Sequence, residues 1–173
     1  EARLAQFPML AVLVSLPVMA SYGYLAPRFV QVNPTRPAIA IFGNNEIALL
    51  DYRIVGPLQH GATVRVEMTW QALRALDRDY TVFLHAVHAD GNTYGESDRL
   101  ALDGELPTHK WEPGKVVLDA QTIQIDVEGP REGFSLEFGL YNAATGERVR
   151  WQTGDDHLTL PRPGDPPPVI PTR

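Results

Sequence analysis

Hydrophobic and polar positions divide this chain into three regimes. Residues 4–27 carry no charge, residues 46–160 alternate apolar and polar side chains in short runs, and residues 161–173 are dominated by proline. Arg3 and Arg28 bracket the uncharged run. A hydrocarbon core of about 30 Å is crossed by roughly 20 helical residues, so this run is long enough to span a bilayer. It also lacks the polar face that a surface helix of a soluble domain presents. Residues 1–30 are therefore expected to form a single transmembrane anchor helix, with Tyr22, Tyr24 and Phe29 at one lipid interface. Pro17 lies within it and should kink it; a bend of this kind is best tolerated against neighbouring helices, which makes Pro17 an expected partner contact. The rival reading is a secretory leader, with Arg3 as its basic start, 7–16 as its apolar stretch and 18–20 as its small-residue cleavage site. Arg3 lies on one side of the run and Arg28 and Arg36 on the other, so flanking charge does not set the orientation.

Beyond the anchor, Pro34 and Pro37 mark 31–42 as an extended linker. Val64, Val66, Met68 and Trp70 then alternate with Thr63, Arg65, Glu67 and Thr69, a period of two that sends one face to a core and the other to water. Phe134, Leu136, Phe138 and Leu140 alternate in the same way. Further strands are expected over 46–55, 79–89, 115–127 and 147–152, with a short one over 156–160. Glycines at 91 and 146 supply the positive φ that tight hairpins need. Residues 72–79 read as a loop. About eight short strands without a second helix predict a mainly β fold over 43–160, an antiparallel β-sandwich of Ig-like or jelly-roll-like form. The closing stretch, 161–173, favours polyproline II geometry. It is expected to be an extended arm that contacts a partner through Pro166, Pro167 and Pro168.

Composition narrows the chemistry. A net charge of −6 argues against nucleic acid as a partner, because phosphate binding needs basic patches. The absence of cysteine excludes disulfide staples, a cysteine nucleophile, c-type haem attachment and cysteine-held iron–sulfur clusters. No nucleophile elbow, phosphate-binding glycine loop or His-Glu-x-x-His zinc pair occurs either, so no catalytic, cofactor or metal residue is assigned and the chain is expected to be non-enzymatic. His85 and His88 are close in sequence, but an odd separation of three sends them to opposite faces of a strand. Asp77, Asp79, Asp98, Asp103, Asp119, Asp155 and Asp156 fit no EF-hand loop and read as turn carboxylates. Tyr94 and Trp111 fall near loops, where aromatic rings could stack on a sugar; Trp70 is in phase with the core.

The ordered series GNNEIALLDYRI, TWQALRALDRDYTVFLHAV, ADGNTYGESD, PTHKWEPGKVVLDAQTIQI and FGLYNAATGER, over about residues 43–151, resembles a β-sandwich module that follows the membrane spans of large glycosyltransferase-like membrane proteins in Chloroflexi-type bacteria. The resemblance implies an extracytoplasmic domain after a membrane helix. This chain has one hydrophobic span and none of the multi-span catalytic body, so glycosyl transfer does not carry over and no catalytic residue is transferred. What remains implied is a single-pass accessory subunit, in contact with integral membrane subunits through its helix and with extracytoplasmic subunits through the sandwich and arm. By analogy its host is a respiratory or photosynthetic electron-transfer complex such as alternative complex III. The alternative is a membrane-tethered carbohydrate-binding module.

Overall fold

The computed structural model describes residues 31–160; the uncharged run with Pro17, and Pro166, Pro167 and Pro168, lie outside the described residues. Among the described residues no helix is long and apolar enough to cross a membrane. The described chain is mainly β, with strands β1 (Ala40–Phe42), β2 (Ile47–Val55), β3 (Thr63–Ala72), β4 (Tyr80–His88), β5 (Thr93–Leu100), β6 (Val116–Gln124), β7 (Phe134–Asn142), β8 (Arg148–Val149) and β9 (Leu158–Leu160). They form two antiparallel sheets, β1-β2-β3-β6 and β5-β4-β7-β8, with β9 also paired to β7.

Alternation along the strands builds the core. Val64, Val66, Met68 and Trp70 of β3 share one buried cluster with Phe134, Leu136, Phe138 and Leu140 of β7, so the two sheets meet through these faces. Trp70 and Phe138 stack with ring centroids 5.4 Å apart. Hairpin turns fall where glycine allows them: the Gly91 N–H donates to His88 O at 2.9 Å, and the Gly146 N–H to Asn142 O at 2.8 Å.

Two elements depart from the periodicity. β5 is mostly polar and shows no apolar alternation, yet it pairs with β4 from Thr81 opposite Leu100 to Val87 opposite Thr93. More consequentially, 31–42 is not a free linker. A bulge in β2 between Leu49 and Asp51 leaves Leu50, with Ala48 and Leu73, as an apolar patch outside the main core. Val32 and Ala38 pack over that patch. The segment is stitched down by Val32 N–H to Leu73 O at 2.8 Å, Thr35 N–H to Gln71 Oε1 at 2.8 Å and Ile39 N–H to Leu49 O at 2.7 Å, and it continues into β1. Covering exposed apolar area outweighs the extended preference that proline gives an isolated segment.

The fold has two poles. Gln31 bridges to Arg74 beside the turn that precedes β2, whereas β9 runs from opposite Phe138 to opposite Leu136, toward the other pole. Glu46 locks the first pole. Its carboxylate accepts the Tyr80 hydroxyl and the Arg74 guanidinium, and its carbonyl accepts the Leu73 N–H at 2.8 Å, which joins the β2 side of one sheet to β4 of the other. Burial, followed by the Glu46 contact, pushes the Tyr80 phenol well above its ordinary range. Glu46→Ala leaves the buried phenol without its acceptor, and should lower unfolding free energy by about 2 kcal/mol in urea denaturation, more than Arg53→Ala on the exposed face.

Candidate functional site

The bulge that directs Leu50 outward also divides the outer face of the β1-β2-β3-β6 sheet. The segment 31–38 covers one part, and an open groove of about 640 Å³ occupies another. Register defines its floor. Asp51 lies opposite Thr69 and Arg53 opposite Glu67, while Thr69 and Glu67 lie in turn opposite Leu118 and Ala120, so all six share the outer face. Arg53 Nε and Nη2 donate to Glu67 Oε2 at 2.9 and 2.6 Å, and Arg65 Nε to Oε1 at 3.4 Å. The Arg53 hydrogen bonds hold the Glu67 carboxyl below its usual range. Leu118 projects from this floor with 69 % of its surface exposed.

The groove wall is a strained turn over Ala101–Gly104. Leu102 and Asp103 take successive left-handed conformations, with φ of 51° and 54°, before Gly104 at 85°. Each non-glycine residue held there costs on the order of 1 kcal/mol, so the surroundings must hold the turn. They do so from two sides: the Leu102 N–H donates to Asp119 Oδ1 at 3.1 Å, and Arg99 reaches both the Asp103 carboxylate and Ala120 O. Burial pushes the Asp119 carboxyl up.

The groove lining is acidic, with Asp51, Glu67, Asp103, Glu105 and Asp119 against Arg53 and Arg65, but three of these carboxylates are paired with arginine. Asp51 faces Arg36 at 3.6 Å, Glu67 takes Arg53 and Arg65, and Asp103 takes Arg99; Glu105 and Asp119 complete the acidic lining. Such a mosaic of planar donors and acceptors around an apolar side chain suits hydrogen bonding to a neutral polar surface better than capture of an ion.

The residues singled out from sequence do not converge here. Trp111 is 3 % exposed, its indole N–H donates to Leu106 O at 2.9 Å, and its ring lies 6.4 Å from that of Trp70. It closes the core instead of offering a sugar platform, because the 105–115 crossover between sheets folds it inward. Tyr94 is half-buried, with its ring edge-on to Phe134 at 5.7 Å and its hydroxyl donating to Asp90 at 2.9 Å. His85 and His88 diverge as strand parity requires: His85 pairs with Asp98 at 2.8 Å, while His88 lies against Phe134 and Tyr94 and near Asp90. The aspartates are dispersed, with Asp77 on Arg78, Asp79 on His109 and Asp156 on His157. Among the described residues no group of three or more histidine, aspartate and glutamate side chains could hold a metal ion. The groove's polar floor was visible as the water-facing phase of β3, but its closure by the 101–105 turn was not. No protein-family model, curated protein or solved structure matches this chain.

Two measurements test this geometry. Asp103→Val should lower stability by about 1–2 kcal/mol, because a β-branched side chain resists left-handed backbone, whereas Asp103→Gly should change it by less than about 1 kcal/mol as relieved strain offsets the lost surface pair. Asp90 is held down to about 2, first by the Asn92 N–H and then, against desolvation, by Tyr94 and His88. Its contribution is present above the ordinary aspartate value of 3.8 and lost as pH falls toward 2. Melting temperature should therefore drop over that acid window, and drop less in Asp90→Asn.

Proposed function

We propose that this chain is a non-enzymatic, single-pass accessory subunit. Residues 4–27 dock in a membrane assembly, and the sandwich, of Ig-like or jelly-roll-like form, covers an extracytoplasmic face of that assembly. The observation that carries this reading is the stitched segment 31–39, whose backbone N–H groups at Val32, Thr35 and Ile39 donate to Leu73 O, Gln71 Oε1 and Leu49 O, with Val32 and Ala38 packed on the sheet. A domain that only needs to be near a membrane works on a loose linker. A chain pinned from Gln31 onward transmits the direction of whatever precedes it, as a subunit in a fixed assembly requires. The two poles add to this: the described chain begins at the Glu46 pole, and β9 runs toward the other. The resemblance to modules that follow membrane spans gives the same order, and an electron-transfer complex such as alternative complex III is the host it suggests.

A membrane-tethered carbohydrate-binding module is the second reading. The groove favours it, since about 640 Å³ falls in the size range of ligand sites and three of its carboxylates are already paired with arginine. The burial of Trp111 removes one of the two aromatic side chains on which it first rested. Gentle solubilisation of native membranes followed by native electrophoresis and mass spectrometry separates the two. Migration of the chain with larger membrane subunits is the expected result; a chain that runs alone and binds oligosaccharides in calorimetric titration favours the second.

A further inference from the structure

The interior face of β6 carries two buried polar residues, Asp119 and Gln121, which are 6 % and 0 % exposed. They stand two residues apart, and therefore on the same face, opposite Met68 and Val66 of β3. Each is half satisfied. Asp119 Oδ1 accepts the N–H groups of Leu102 at 3.1 Å and Ala120 at 2.8 Å, and Gln121 Nε2 donates to Val82 O at 3.0 Å. Among the described residues, Asp119 Oδ2 and Gln121 Oε1 find no hydrogen-bond partner. The contact with Val82 O fixes the Gln121 amide, because only its NH2 end can donate to a carbonyl. Two acceptors on one buried face thus lack one donor.

We propose that Asp119 folds as the neutral carboxylic acid, taking a proton from solvent and donating its Oδ2–H to Gln121 Oε1. An unbroken relay then runs from the Leu102 N–H through Asp119 and Gln121 to Val82 O, and ties the groove wall and β6 to β4 of the opposite sheet. The charged groups that act on Asp119 most are Arg99 of β5 and Asp103 of the turn; Glu105 after the turn and the Tyr52 phenol of β2 line the same groove, while Val66 and Met68 of β3 and Val82 of β4 bring no charge. Arg99 is engaged by Asp103 and Ala120 O, so it supplies no hydrogen bond to Oδ2. Burial acts in the same direction by disfavouring the ionised carboxylate.

The consequence is a lock that holds best in acid. An acid whose folded form keeps its proton stabilises the fold at low pH and loses that contribution as pH rises from the ordinary aspartate value through the raised one. This is opposite in sign to Asp90. The test uses the full chain with 13C-labelled aspartate carboxyl groups, followed by NMR from about pH 3 to pH 8. The Asp119 resonance should keep its protonated position to higher pH than those of the exposed aspartates; an Asp119 that reaches its carboxylate position together with them, or before them, overturns the proposal. In Asp119→Asn the amide reproduces both the donor and the acceptor of the neutral acid. The melting temperature of the wild type should fall relative to this variant as pH rises, and parallel pH profiles for the two would equally overturn it.

Discussion

Trp70 is the contact on which the two-sheet arrangement depends. Its ring stacks on Phe138 of the opposite sheet and lies within 6.4 Å of both Phe42 of β1 and Trp111 of the crossover. One side chain therefore joins four separate parts of the chain. Its indole N–H finds no partner among the described residues, and dispersion and apolar burial across the three ring contacts outweigh the loss of one neutral hydrogen bond. The strands around it are locked in register, since a slip of one residue would turn Trp70 to solvent and Thr69 or Gln71 to the core.

The second constraint is that the first sheet cannot leave its whole outer face to water. The β2 bulge exposes Leu50 beside Ala48 and Leu73, and the chain answers with Val32 and Ala38. Where that cover stops, polar alternation resumes and a groove opens over Arg53, Glu67 and Leu118. Cover and groove are two outcomes of one rule, applied to an apolar stretch of sheet and then to a polar one. The rule also gives the fold its direction, because the covering segment begins at the Glu46 pole.

β6 contributes two buried polar side chains to the interior. Core strands β3 and β7 present uninterrupted apolar faces to each other, whereas β6 sends Asp119 and Gln121 inward next to the strained turn. Buried polar groups add little net stability but fix geometry through direction. At this edge Asp119, on Leu102, and Arg99, on Asp103, hold two left-handed residues that apolar packing alone would not specify.

The strands other than β1 and β5, the hairpin turns at Gly91 and Gly146, and the inward set from Val64 to Trp70 and from Phe134 to Leu140 were legible in the sequence. They depend on a period of two and on local φ preferences, both carried by neighbours in the chain. The opposite faces of His85 and His88 followed from the same parity. The pairing of β5, the seating of 31–38, the burial of Trp111 and the wall of the groove were not legible. Each is set by what lies across from it: β5 has no apolar stripe but borrows β4, Trp111 turns inward because Trp70 is there, and 31–38 lies down because a bulge more than ten residues later leaves Leu50 uncovered. Sequence determined which residues alternate; tertiary structure decided which neighbour each face would meet, because burial is a property of pairs of segments and not of either one alone.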